Sequence, residues 1–175
     1  MAQLDFTAAF REHPVPKLLD ALAAFCANLT DGQFSGRFQL AAELADEWLG
    51  EAGNPAEFAI FGRDPDGSMY AFWLYDDRTP ETAPIVYLQA GHGGSIVIAS
   101  SFEEFLSLLA LDIADLGVYY DEGERSRTPS TGHTRFVKWL AKTYAIKPAV
   151  QAERVVKRAG AGHPKLAVRY GKRGN

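Results

Sequence analysis

The sequence predicts an α+β fold in which a mainly antiparallel β-sheet is flanked by helices. Four short runs of β-type residues lie between residues 57 and 99, and turn sequences separate them. An amphipathic segment follows the last run, and other segments with helical spacing lie before and after this block. Because consecutive strands joined by short turns pair with each other, the four runs predict a meander covered by helices.

The first two runs predict a β-hairpin. Residues 57–63 alternate loosely between polar and apolar, and the sequence Asp-Pro-Asp-Gly follows at 64–67. In such a turn proline presets φ, aspartate bonds its own backbone and glycine accepts a positive φ. The next run, Met69–Tyr75, is aromatic and apolar throughout. It predicts either a central strand buried on both faces or a strand with one buried and one aromatic-rich exposed face.

The last two runs predict a second hairpin. Pro84 precedes the run 85–89, and a proline at a strand start removes no hydrogen bond from the ladder. The glycine-rich sequence 90–94 then supplies a permissive turn before the run 95–99. Two hairpins in series make an antiparallel meander.

A helix is predicted directly after the meander. Ser100 or Ser101 can cap the first free amides, and Glu103 and Glu104 lie at the positive end of the helix dipole. The apolar positions that follow have spacings of three and four, which predicts one face lying on the sheet: Phe105, Leu106, Leu109, Ala110 and Ile113.

Three further helices are predicted from the same spacing. One begins at Pro14 or Pro16 and runs to Leu29, one runs from Leu40 to Leu49 and buries Trp48, and one runs from about Thr134 to Tyr144. The polar segment 121–132 is typical of an exposed linker, and the chain after Gly160 is expected to fray. We therefore predict one α+β domain over residues 1–147, and over residues 148–175 a basic extension that is partly helical or flexible.

The central third of the chain carries an ordered set of short motifs. They are a strand ending in Phe-Gly-Arg at 61–63, an Asp-x-Asp-Gly turn, an aromatic strand with Phe-Trp-Leu at 72–74, a Pro-Ile-Val-Tyr-Leu strand at 84–88, and Ala-Ser-Ser-Phe-Glu-Glu-Phe-Leu at 99–106. In order and loop length these motifs resemble the SMI1/KNR4 family, also called the SUKH superfamily.

The resemblance implies a compact α+β domain with a strongly curved, mainly antiparallel sheet flanked by helices. Many bacterial members of the family are similar to immunity proteins that bind and neutralise a cognate polymorphic toxin, often a nuclease. Some fungal members are interaction hubs in cell-wall signalling. Neither role requires catalysis or a cofactor, so the resemblance implies a non-enzymatic, protein-binding function.

Composition indicates an intracellular setting. The single cysteine, Cys26, lies in an apolar run and excludes an intrachain disulfide, so it is interpreted as a buried structural thiol. No apolar run approaches the roughly 18 residues that span a bilayer, and the amino terminus lacks the apolar core of a signal peptide. We expect a cytoplasmic protein without membrane contact.

Charge is distributed unevenly along the chain. From Lys138 onward there are ten Lys or Arg residues and one acid, Glu153, whereas residues 1–137 contain eight Lys or Arg and 21 acids. This asymmetry is typical of an interaction tail, of a nucleic-acid arm, or of an electrostatic fit between tail and body.

The acidic turns supply the candidate binding residues. The first hairpin could bring two aspartate pairs to one edge of the sheet, where they are either solvated turn residues or an acidic patch for a basic partner such as a nuclease toxin. We take as partner-binding candidates Asp64, Asp66, Asp76, Asp77 and Glu81.

Two other functions are weighed against protein binding. The basic extension could contact nucleic-acid phosphates through Arg154, Lys157, Arg158, Lys165, Arg169, Lys172 and Arg173. His92 lies among glycines and could act as a general base or metal ligand, but a glycine loop between two strands is typical of a hairpin turn. The remaining histidines are scattered, so we predict neither a catalytic nor a metal site.

Overall fold

The computed structural model describes residues 4–30, 33–46, 54–90, 95–111 and 130–166. Within these residues five strands form one antiparallel sheet in the order β1-β2-β3-β4-β5. The strands are β1 Gln39–Leu40, β2 Phe58–Arg63, β3 Met69–Trp73, β4 Ile85–Leu88 and β5 Ile96–Ala99. Each strand pairs with its sequence neighbour, so the α+β class and the predicted meander are confirmed.

Five α-helices accompany the sheet in the described part of the chain. They are α1 Thr7–Phe10, α2 Lys17–Ala27, α3 Phe102–Leu109, α4 His133–Tyr144 and α5 Ala152–Gly162. Two short 3₁₀ turns, Pro55–Glu57 and Tyr75–Asp77, lie before β2 and after β3. None of the described helices is long and apolar enough to cross a bilayer.

The central strand β3 is buried on both faces, which decides between the two interpretations of its aromatic run. Tyr70 and Phe72 belong to the larger core, together with residues of α1, α2, α3 and α4. Ala71 and Trp73 face the opposite way, into a smaller core that contains Val86 and residues near the C-terminus. Because successive side chains of β3 point to opposite faces of the sheet, the strand contributes to both apolar cores.

The predicted helix at 40–49 is wrong at its start. Leu40 lies in β1 and pairs with Gly62, and the Ala41 amide donates to the Phe61 carbonyl at 3.1 Å. Helical geometry begins only at Ala45, and Trp48 lies outside the described residues. Pairing with the edge of β2 satisfies backbone groups that a helix would otherwise satisfy, so this tertiary contact overrides the helical spacing.

The serine cap predicted for α3 is confirmed. The Glu104 amide donates to Ser101 Oγ at 3.2 Å, and the Ser100 amide donates to Glu104 Oε2 at 2.7 Å. This reciprocal arrangement resembles a capping box and fixes the point where the chain leaves β5. Four of the five predicted apolar positions are buried, and Ile113 lies outside the described residues.

Helix α5 packs along β5, at the edge of the sheet. Its buried Val155 belongs to the larger core, whereas Ala159 and the following Leu166 belong to the smaller one. Contrary to the expectation of fraying after Gly160, the helix continues to Gly162 and Leu166 is buried. Because an uncovered strand edge is a template for aggregation, α5 protects the edge as well as extending both cores.

Candidate functional site

The turn between β2 and β3 is built by the side chains of its own aspartates. The Asp66 amide donates to Asp64 Oδ1 at 3.1 Å, and the Ser68 amide donates to Asp66 Oδ1 at 2.9 Å. Gly67 has a φ of 91°, which an L side chain rarely adopts. The turn chemistry read from the sequence is therefore present in full.

Asp64 is not the solvated turn residue that the sequence suggested, because only 2% of its surface is exposed. Its Oδ2 lies 3.0 Å from Arg37 Nη2 and accepts from the Tyr70 hydroxyl at 3.4 Å. Burial raises the pKa of Asp64, and the Asp66 amide and the Arg37 guanidinium oppose that rise. A carboxylate enclosed in this way organises the hairpin, so its position does not suit a protein interface.

Asp66 differs from its neighbour in being exposed. Slight burial acts to raise its pKa, but hydrogen bonds from Ser68 and the charge of Arg37 outweigh that effect and hold the pKa below its ordinary value. Asp66 is thus a charged surface group on a rigid turn.

The two aspartate pairs do not meet at one edge of the sheet, and that expectation is wrong. Asp64 and Asp66 precede β3, whereas Asp76 and Asp77 follow it. The six residue steps from Met69 to Tyr75 separate the two ends by about 20 Å, at ~3.3 Å per residue. The pairs lie at opposite ends of the strand because each occupies a different connection of β3.

The loop at residues 75–82, which we call the acidic loop, places three of the five predicted residues together in sequence. Asp76, Asp77 and Glu81 are all exposed. Asp76 and Asp77 both have left-handed backbones, with φ of 52° and 57°. Two consecutive residues of this kind cost of order 1 kcal/mol each, and such strain persists only where surrounding contacts enforce it.

Contacts within the acidic loop enforce that conformation. Arg78 lies over the Tyr75 ring, 4.7 Å from its centroid, and donates from Nη1 to the Thr82 carbonyl at 2.9 Å. The Thr82 amide donates in turn to the Thr79 carbonyl at 3.0 Å. The loop is thereby closed on itself above a buried tyrosine.

Tyr75 connects the acidic loop to the C-terminal part of the chain. Its hydroxyl lies 2.9 Å from His163 Nδ1, and its ring lies 4.3 Å from that of Trp73. Burial and the nearby Arg78 charge lower the pKa of His163, while Glu104 acts in the opposite direction. The Tyr75 hydroxyl and His163 Nδ1 form a hydrogen bond whose donor is set by the tautomer of His163, and this contact holds the segment after α5 against the loop.

Glu104 provides a second connection at the same end of the sheet. Besides capping α3, it forms an ion pair with Arg158 of α5. Neither this pair nor the Tyr75–His163 contact was anticipated from the sequence, since the tyrosine and the histidine are 88 positions apart. Only the uneven charge distribution hinted that tail and body would meet.

Comparisons with protein-family models, curated proteins and solved structures find no match for this chain.

The other chemical candidates contribute little to a site. His92 lies outside the described residues. Burial raises the pKa of Cys26 to about 12, so its thiol is uncharged at neutral pH. An uncharged thiol is typical of a structural cysteine and not of a reactive one. Among the residues that the structure describes, no three His, Cys, Asp or Glu side chains are grouped as a metal site. The acidic loop is therefore the best-defined candidate for a functional site.

Proposed function

We propose that this chain is a cytoplasmic, non-catalytic protein-binding domain of the immunity-protein type, which neutralises a toxin domain by stoichiometric association. The resemblance to the SMI1/KNR4 family supports a non-catalytic, protein-binding function. The acidic loop is the proposed binding surface, because it exposes Asp76, Asp77 and Glu81, which suit a basic partner such as a nuclease.

The observation that carries this proposal is the pair of exposed aspartates held in left-handed backbone geometry. Strained residues on a braced loop are more typical of a binding feature than of a passive connection. Because the loop is already ordered, binding does not incur the cost of ordering it. Its charge also accelerates encounter with a basic surface.

The first step of the test is an affinity pull-down with the tagged full-length chain from native lysate treated with nuclease. The captured partner is then purified, and its rate of association with the chain is measured. We expect a 1:1 complex whose association slows as salt increases. In the variant Asp76→Asn/Asp77→Asn/Glu81→Gln, association should slow about tenfold or more. Asparagine tolerates a left-handed backbone as aspartate does, so the substitution removes charge while keeping the loop.

A matched variant separates the acidic loop from net charge. Glu12→Gln/Asp20→Asn/Glu103→Gln removes three exposed carboxylates from other surfaces. This control variant should associate with the partner nearly as fast as the unaltered chain does. In a separate assay, co-expression of the unaltered chain should relieve the toxicity of the partner domain. Equal slowing by both variants, or a partner whose toxicity persists in the complex, would exclude the proposal.

A further inference from the structure

The helices α4 and α5 carry a second, oppositely charged surface that the acidic loop does not explain. Residues 130–166 contain eight Lys or Arg residues and a single acid, Glu153. Seven of the eight are exposed without an ion pair to any described residue, and we call these seven the basic face: Arg135, Lys138, Lys142, Lys147, Arg154, Lys157 and Lys165.

The cations of α4 form a stripe on one side of the helix. Arg135, Lys138 and Lys142 have spacings of three and four, so their side chains are neighbours on the helix surface. Phe136 and Leu140 occupy the opposite side and are fully buried. The stripe therefore points away from the core.

Helix α5 repeats this arrangement. Arg154 and Lys157 lie three residues apart on its outer side, while Val155 and Ala159 are buried. Val155 packs in the same larger core as Phe136 and Leu140, and Ala159 packs in the smaller core, so the cations of both helices lie on the sides that face away from the cores. The short connection between them is tied to α3 by the Ala149 amide, which donates to the Ser107 carbonyl at 3.0 Å.

The burial of the apolar sides favours nucleic acid over a lipid surface as the occupant. Helices that lie on membranes insert an apolar side, but here the buried residues of both helices already pack in the two cores. What the two helices expose is a set of cations, which suits the phosphates of a nucleic acid.

We infer that the basic face binds nucleic acid, with its lysines and arginines on the phosphates. This surface is separate from the acidic loop, and the inference does not depend on the function proposed for that loop. It differs from a tail-only site because the α4 cations contribute as much as those of α5.

The test measures fluorescence anisotropy of labelled single-stranded RNA and DNA oligonucleotides with the full chain at several salt concentrations. Affinity should fall as salt rises, with a log–log slope of about −0.7 for each phosphate neutralised. Arg135→Gln/Lys138→Gln/Lys142→Gln should weaken binding about tenfold or more at ~50 mM salt and make the slope shallower by about 2. Arg154→Gln/Lys157→Gln/Lys165→Gln should act similarly.

A matched control removes three exposed cations from the acidic body, in Arg11→Gln/Lys17→Gln/Arg63→Gln. Its net charge equals that of the α4 variant, yet its affinity should stay within about twofold of the unaltered chain, because these three cations lie on α2, on β2 and directly after α1 and are not part of the basic face. Circular dichroism checks that all variants fold. Absence of binding at low salt, equal weakening by the control, or binding to anionic vesicles alone would overturn the inference.

Discussion

At the scale of single residues, close packing explains why a position such as Gly62 accommodates only glycine. Gly62 lies at a bulge in β2, where the register against β3 shifts. A Cβ atom at this position would lie 2.2 Å from the Phe38 ring, which itself packs on Phe61 and Phe105. A ring held by other rings cannot retreat without disturbing the core.

We expect Gly62→Ala to lower the free energy of unfolding by about 1–3 kcal/mol, the usual cost of overpacking a core. Gly160→Ala is the matched control, since Gly160 lies within α5 and a Cβ there meets no atom within 4 Å. It should stabilise the protein by up to about 1 kcal/mol. Urea denaturation of both variants checks the prediction, and similar midpoints for the two would contradict it.

Asp64 illustrates the limit of reading a single residue from its neighbours in sequence. The turn sequence correctly predicts that its side chain bonds the backbone two residues on. It does not reveal that Arg37 and Tyr70 close over the carboxylate, because both contacts require β2, β3 and the chain before β1 to be assembled.

At the scale of elements, the C-terminal segment is held to the end of β3 by a titratable contact. His163 Nδ1 is hydrogen-bonded to the Tyr75 hydroxyl at 2.9 Å, and burial together with the Arg78 charge holds the pKa of His163 below its ordinary value. A histidine with a lowered pKa binds fewer protons folded than unfolded near pH 6. Its contribution to stability is therefore present above about pH 6.5 and is lost as the pH falls through the folded-state pKa.

We expect Tyr75→Phe to destabilise the chain by about 1 kcal/mol at pH 7.5, because it removes one hydrogen bond and keeps the ring. His163→Gln should weaken the loss of stability on acidification below about pH 6.5, because it removes the group whose pKa is lowered in the folded chain. Urea midpoints at pH 7.5 and pH 5 measure both variants. A loss of stability on acidification that is as large in His163→Gln as in the unaltered chain would contradict the assignment.

At the scale of the whole molecule, α5 joins the two apolar layers of the sheet. Val155 packs in the larger core and Ala159 in the smaller one, so the helix contributes to both sides while covering β5. The described part of the basic extension therefore lies against the acidic body. The Glu104–Arg158 ion pair is exposed on its arginine side, so apolar burial is the stronger of the two attachments.

We expect Ala159→Asp to reduce the free energy of unfolding by about 2–4 kcal/mol and to promote self-association, because a buried unpaired carboxylate would force α5 off the β5 edge. Ala161→Asp places the same charge two residues later on the exposed side of α5. It should lower the free energy of unfolding by only about 1 kcal/mol or less, through helix propensity and its charge at the C-terminal end of the helix. Thermal unfolding and size-exclusion chromatography compare the two variants, and equal stability would show that α5 is not anchored through Ala159.

The sequence alone determined the features that depend on local chemistry: the Asp-Pro-Asp-Gly turn, the serine cap of α3, the double-sided burial allowed by the run at 69–75, and the separation of acidic from basic regions. Tertiary structure alone decided that Leu40 joins a strand, that Asp64 is enclosed, that the two aspartate pairs lie at opposite ends of β3, and that His163 meets Tyr75. The reason is physical: turns and caps form between residues a few positions apart, whereas strand pairing and burial depend on partners that only the assembled chain brings into contact.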